Sequence, residues 1–497
     1  MIAAQTRWQR WLPFTAILSL ATFLRLFRLG TQSLWLDEAF SLILAQQGWS
    51  SIIANTARDT MPPLYYLLLH PFLSVNNSEA SGRLLSALLG ILTIPVIWSL
   101  GRRLFGRRVA LLSALLLAIN PFHIYYSQEA RMYSQLGLFG LLAALCFFAA
   151  WQEGQARYWA VFVLSATATL YTHNTAFLLF LALGFFALLH WRQAWQRRKE
   201  LALSLTGIAV LFLPWAARLP GQVGRVGGGF WLEAPPILKL LTTLALFLFG
   251  YALPPALSVA ALIVALFAVF ATALISWRVL REGTADRLAL TFLLCLFFVP
   301  LLSSYLISLV YPIYLARTLM ISALALLLLV AWGLTRIPHP VALLLALAGL
   351  ALIGTSLFNY YANPDYAKPP LREAAAYVAA HYQPGDTILH ISDSSYLTFA
   401  YYQPQLERHF PVGDPDYEQG TTRGRSGRLA GIEPETIVEI TRDRQRLWLA
   451  VTLDHNFEHQ REVKQRLDDC YPLLEHTQIG GIYLLLYDLR SGGKTCR

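Results

Sequence analysis

Apolar runs of about 20 residues recur along the chain, and a helix that long spans the roughly 30 Å hydrocarbon core of a bilayer. They lie at 11–27, 83–100, 107–122, 134–151, 157–172, 175–190, 200–218, 256–276, 288–310, 314–334 and 340–358. The pattern predicts a polytopic α-helical membrane protein. With 56% of 497 residues hydrophobic and 14% charged, a water-soluble globule is excluded. The net charge of +10 does not point to nucleic acid, because the arginines fall mainly in short loops between the runs, where they set topology. The basic first residues, followed by an apolar run holding Arg25 and no small-residue cleavage site, predict an uncleaved signal anchor.

Two apolar segments are ambiguous. The first, at 62–71, is short and bounded by prolines, which suits an interfacial or re-entrant helix. The second, 237–253, ends at Pro254-Pro255. If neither crosses, eleven spans put Arg102, Arg103, Arg107 and Arg108 on the cytoplasmic side together with Arg192, Arg197, Arg198 and Lys199. If both cross, the count is thirteen and those clusters move outside, against the positive-inside bias. Eleven spans with a cytoplasmic N-terminus is therefore the expectation. It places 33–40, 125–133, His173-Asn174, 219–236 and 311–317 on the extracytoplasmic side, away from the arginine clusters.

From about 362 the composition changes. A linker with Asn363-Pro364 and Lys368-Pro369-Pro370 leads to helical patterns at 371–382 and 457–469. Strand patterns fall at 386–392, 446–452 and 481–487. The alternation predicts a small extracytoplasmic α/β domain over 362–497, following a transmembrane domain over 1–361 whose loop 28–82 is the longest outer segment. The Gly/Arg-rich stretch 420–431 reads as a mobile loop. Cys146 and Cys295 sit in apolar runs and read as core residues, whereas Cys470 and Cys496 could pair in an oxidising compartment. No Walker motif, nucleotide-binding glycine motif or metal-type cysteine spacing occurs.

The chemistry concentrates in Ser33-Leu34-Trp35-Leu36-Asp37-Glu38-Ala39-Phe40. Two adjacent carboxylates among Leu, Trp and Phe at a membrane surface are costly unless they have a task. They could favour a helix dipole as first-turn acids, or Asp37 could take the proton from an attacking hydroxyl as a general base. Arg83, Arg131 and Arg317 lie on the same side and could read a phosphate bidentately, or could be interfacial arginines. Glu129 is better suited to orient Arg131 than to react. His173 is either structural or a hydrogen-bond donor to a phosphate or sugar. Tyr65 and Tyr66 either belong to an interfacial aromatic belt or stack on a sugar.

These residues occur in an ordered set. Leu34 to Phe40 with Asp37-Glu38, then Pro62-Pro63-Leu64-Tyr65-Tyr66, resembles the first extracytoplasmic loop of the protein O-mannosyltransferase-like family. Arg83-Leu-Leu-Ser-Ala-Leu-Leu-Gly, Gly101-Arg-Arg-Leu-Phe-Gly and Tyr126-Ser-Gln-Glu-Ala-Arg-Met-Tyr133 extend the resemblance. That family includes bacterial lipid A aminoarabinose transferases and belongs to the class C (GT-C) membrane glycosyltransferases. The resemblance covers roughly 25–360 and is strongest over 33–135. It implies inverting transfer of a sugar from a polyprenyl phosphate carrier to a lipid, glycan or protein acceptor outside the cytoplasmic membrane. The first acid of the pair, Asp37, is the implied base. The family commonly has His or Lys before the Pro-Pro segment; here Met61 stands there, and Arg58 or Arg131 could supply the missing cation. The resemblance leaves room for a divalent metal without assigning ligands. The competing reading from another class is a transporter or flippase of lipid-linked sugars, which would carry its polar groups at the membrane midplane on broken helices.

Overall fold

The computed structural model of the chain describes residues 11–227, 234–283, 285–452 and 456–491. It forms two compact units, Met1–Leu29 with Arg83–Ala217 and Leu232–Tyr366, and Gly30–Gly82 with Arg218–Trp231 and Ala367–Arg497.

The first unit is helical, and a helix occupies each of the eleven predicted spans. Among the described residues, seven helices have the length and composition to cross a membrane, or eight if one bent pair is a single span. Leu12–Leu26 is apolar but shorter. Leu238–Phe249, one of the ambiguous segments, has only 12 residues, about 18 Å of helix and short of a bilayer core.

One predicted span is broken. The run at 107–122 becomes Arg107–Ala118 and Pro121–Ser127, bent by 58°. Pro121 cannot continue the preceding hydrogen-bond ladder. Asn120 instead starts the second piece, its Oδ1 accepting from the His123 N–H at 2.8 Å. The break leaves carbonyls without helical partners, which are costly in an apolar interior. Arg25, fully buried, donates from Nη1 to Ala118 O at 3.1 Å and from Nη2 to Leu117 O at 2.9 Å, and the same Nη2 lies 3.0 Å from His123 Nδ1. Asn120 Nδ2 donates to Phe247 O and Leu248 O at 2.9 and 3.2 Å. This knits the break to the end of the Leu238–Phe249 helix. There Gly250 turns the chain at φ +73°, and a Cβ on it would lie 2.8 Å from Pro121 Cβ. An arginine that reads as an anomaly in the first span is thus the cap of a broken helix.

The second unit carries helices Leu36–Ala45, Trp49–Arg58, Leu64–Val75 and Leu219–Gly227 together with an α/β layer. Six strands, β1 (Asp386–His390), β2 (Arg408–Pro411), β3 (Pro434–Glu435), β4 (Arg446–Val451), β5 (Leu473–Ile479) and β6 (Ile482–Asp488), form one sheet in the order β3-β2-β1-β4-β6-β5. β1 is parallel to β2 and β4, and β6 is antiparallel to β4 and β5. Alternate residues of each strand point to opposite faces. Leu389, Leu447 and Leu449 accordingly pack with Leu467 on one side, while Ile388, Trp448 and Ala450 pack with Leu371 and Val378 on the other.

The stretch 420–431 is not the loop its composition suggests; Thr422–Leu429 is a helix. Thr421 caps it by accepting from the Gly424 N–H. Its glycines serve packing, since a Cβ on Gly427 would fall 1.9 Å from Tyr417 Oη. Cys146 and Cys295 are free and buried. Cys470 is disulfide-bonded, and Cys496 lies outside the described residues.

Candidate active site

In the second unit, the acid pair opens the Leu36–Ala45 helix. Trp35 precedes it in extended conformation and contributes no side-chain cap. Asp37 and Glu38 fill the first turn, where exposed N–H groups and the helix dipole favour anions. Successive helical residues differ by about 100° in direction, and here the environments diverge as well. Asp37 is half-buried, whereas Glu38 is fully buried with Oε2 2.8 Å from Lys368 Nζ. Lys368 reads in the sequence only as part of a proline-rich linker; 330 residues separate the partners. Glu38 is therefore part of a buried ion pair.

Tyr65 and Tyr66, on the Leu64–Val75 helix, are completely buried and meet edge to face at 5.9 Å. Burial rules out membership of a headgroup-level aromatic belt for either ring. Arg58 ends the Trp49–Arg58 helix and is exposed. Its neighbour Asp59 is buried and accepts from Ser426 Oγ at 2.7 Å.

In the helical unit, two of the remaining candidates, Arg317 and His173, meet at Tyr133. The Arg317 guanidinium lies over its ring at 5.5 Å, the His173 ring is 6.2 Å away and the Tyr126 ring 5.0 Å. Arg131 is almost buried and Glu129 fully so. The Arg131 N–H donates to Glu129 O at 2.7 Å, and Arg131 O accepts from Ser86 Oγ at 3.1 Å. Arg83, three residues before Ser86, is buried and donates from Nη1 to Leu29 O at 3.1 Å. That bond secures the chain just beyond the first helix. Tyr251 follows the Gly250 turn, and its hydroxyl shares a 2.6 Å hydrogen bond with that of Tyr126; nothing in the local sequence of either tyrosine announces the pair.

His173 sits in the junction between Ala156–Thr172 and the Asn174–Ala176 turn. Its Nδ1 accepts from the Thr175 N–H at 3.1 Å, so the proton of the neutral ring resides on Nε2. Burial first, and then the charges of Arg131 and Arg317, push its pKa down to about 3. It is a neutral donor in a cationic neighbourhood, suited to hold an anionic oxygen without itself titrating.

Among the described residues no group of three or more His, Cys, Asp or Glu side chains is arranged to hold a metal ion.

The family model for dolichyl-phosphate-mannose-protein mannosyltransferase matches residues 60–217. No curated protein gives a significant sequence match. Among solved structures, ArnT from Cupriavidus metallidurans in the apo state is similar at a TM-score of 0.65 and 14% identity, over 95% of this chain and 97% of that one. The same protein bound to undecaprenyl phosphate matches at 0.62 and 13%, over 97% and 99%. The oligosaccharyltransferase AglB from Archaeoglobus fulgidus, in complex with an inhibitory peptide and a dolichol-phosphate, matches at 0.55 and 13%, over 96% of this chain and 74% of that one. These structures share the fold of the chain over nearly its whole length, and residues 60–217 match the family model in sequence.

Proposed function

We propose that the chain moves a sugar from a polyprenyl-phosphate-linked donor to an acceptor hydroxyl or phosphate at the extracytoplasmic face of the cytoplasmic membrane, with inversion and with Asp37 as general base. The observation that carries this reading is the division of labour within the acid pair: Glu38 is buried against Lys368, while Asp37 occupies the first helical turn half-buried. Asp37 takes the acceptor proton as the acceptor oxygen attacks the anomeric carbon. The bond from that carbon to the phosphate oxygen breaks on the opposite face, and one displacement inverts the centre. Negative charge grows on the departing polyprenyl phosphate, where Arg131 and Arg317 stabilise it and His173 offers its Nε2 proton. A positioned base contributes about 10²–10⁴-fold.

The undecaprenyl phosphate in the similar ArnT structure and the dolichol-phosphate in the AglB complex support a lipid-phosphate carrier. Orientation rests on charge: the arginine clusters at 102–108 and 192–199 mark the cytoplasmic side. This leaves 30–82 and 367–497 outside.

The test is mass spectrometry of lipids that copurify with Asp37→Asn. The reading predicts accumulation of an intact polyprenyl-phosphate sugar relative to wild type. Copurification of no lipid-linked sugar, from protein that is folded and retains transport of such lipids, would return the chain to the transporter class.

A further inference from the structure

The segment 368–373 lies along 30–38 within the second unit through a row of polar contacts. The Lys368 N–H donates to Gln32 Oε1 at 3.3 Å, and Lys368 Nζ reaches Glu38 Oε2 at 2.8 Å. The Arg372 N–H donates to Ser33 Oγ at 3.3 Å, and Ser33 Oγ donates to Glu373 Oε2 at 2.9 Å. Arg372 also donates to Thr31 O and to Glu79 Oε1, both at 2.9 Å. From the sheet layer, Tyr402 Oη donates to the same Glu79 oxygen at 3.0 Å and accepts from the Leu34 N–H at 2.8 Å.

Pro369 and Pro370 stiffen this strap by fixing φ. Pro370 is clamped from behind, since a Cβ on Gly480, in the turn between β5 and β6, would fall 2.8 Å from Pro370 Cγ. The start of the acid helix has no side-chain cap of its own. Its entry is held by Tyr402 and its first turn by Lys368. A helix gripped at one first-turn residue has its rotation about the axis fixed, and the direction of the adjacent residue follows.

We infer that Lys368 is a positioning residue for the transfer reaction: by holding Glu38 it sets the rotation of the Leu36–Ala45 helix and so the aim of the Asp37 carboxylate, which makes the α/β layer part of the catalytic apparatus. The inference rests on Asp37 being the base. Lys368 also supplies the positive charge that keeps two adjacent carboxylates from repelling each other out of register. Positioning of this kind acts on the reacting geometry rather than on substrate binding.

The experiment uses the full-length protein in lipid nanodiscs and measures kcat and donor KM for Lys368→Met, Lys368→Arg, Glu38→Gln and the Glu38→Gln/Lys368→Met double variant, with thermal unfolding of each. Lys368→Met is expected to lose about 10–100-fold in kcat, the range one misplaced group produces, with donor KM within about threefold. Lys368→Arg restores most of the loss because it keeps the charge on Glu38. The double variant is no worse than the poorer single one, since both break one linkage. Folded Lys368→Met with wild-type kcat, or losses that multiply in the double variant, overturns the inference. So does equal impairment of Lys368→Arg and Lys368→Met. If Lys368→Met does not fold, the Arg variant and the double variant decide it in the same terms. Asp37→Asn, run alongside, separates the two claims: an active Asp37→Asn removes the base itself, whereas an inactive one beside fully active Lys368 variants removes only the positioning role.

Discussion

The two units hold buried charge in opposite ways. In the helical unit, buried polar side chains are spent on backbone. Arg25 serves the carbonyls of Leu117 and Ala118, Arg83 serves Leu29 O, and Gln128 Nε2 donates to Arg25 O and Phe27 O at 3.0 and 2.8 Å. In the second unit, charge is matched with charge: Glu38 with Lys368, Asp386 with Arg446, Asp393 with Arg423. The difference follows from solvent. A broken helix in hydrocarbon exposes carbonyls that no water can satisfy, so a side chain must. A sheet layer has intact ladders, and its buried carboxylates instead need counter-ions. Removal of an anchor should therefore be irreparable in the first unit and reparable in the second by removing the partner too.

The largest effect should come from Arg25→Leu. It strips the Ala118 carbonyl of its donor, leaves Leu117 O to the 3.3 Å bond from the Asn120 N–H, and takes a buried partner from His123 Nδ1, at about 1–3 kcal/mol for each orphaned group. Most of the protein should be lost from the monodisperse peak in size-exclusion chromatography, and no second-site apolar substitution at His123 should recover it. Recovery would break the contrast between the units.

Asp386→Asn should cost about 3–5 kcal/mol by leaving Arg446 unpaired. Adding Arg446→Met should return a large part of that, because the two groups neutralise each other at 2.5 Å. Thermal unfolding of the single and double variants reads this directly. A double variant as unstable as the single would show that Asp386 matters through its bond to the Gln383 N–H instead.

His173 gives a pH signature. Its folded pKa of about 3 lies below the unfolded value near 6.5. The unfolded chain therefore binds the proton first. The contribution to stability is intact above about pH 6.5 and is lost as pH falls toward the folded pKa. Between pH 7 and pH 5 the wild type should lose about 1–2 kcal/mol from this group, and His173→Gln should flatten that slope. An unchanged slope would mean that another group sets it.

Arg317→Lys should be mildest. It keeps the charge but gives up the planar guanidinium over Tyr133, worth about 0.5–2 kcal/mol. A rise in donor KM of roughly twofold to thirtyfold is expected if that energy is lost from donor binding. An unchanged KM would make Arg317 a topological arginine.

What the sequence disclosed and what it hid divide along range and length. The apolar helices are legible because each run carries its own signal, though only seven or eight of those described have the length and composition of a span; β1, β4 and β6 are legible because they are central and apolar. β2 and β3 span four and two residues, too few for any periodicity. β5, Leu473–Ile479, is an edge strand with Glu475, His476, Thr477 and Gln478, so it reads as loop. The glycines of Thr422–Leu429 argue against a helix locally, and only packing on Tyr417 overrides that. At the site, Asp37, Arg131 and Arg317 stand out as charge in apolar surroundings. Lys368 does not, because a lysine between Ala367 and two prolines looks like any solvated linker; its meaning comes from a partner 330 residues away.

The role of Asp37 as base is tested most directly by the rate of sugar transfer by purified Asp37→Asn in proteoliposomes, at saturating polyprenyl-phosphate sugar and acceptor, beside Glu38→Gln. Asp37→Asn is expected to lose about 10²-fold or more in turnover while still binding donor, and Glu38→Gln to retain a larger share because its task is to hold Lys368. Near-wild-type turnover by Asp37→Asn would show that Asp37 is not the base.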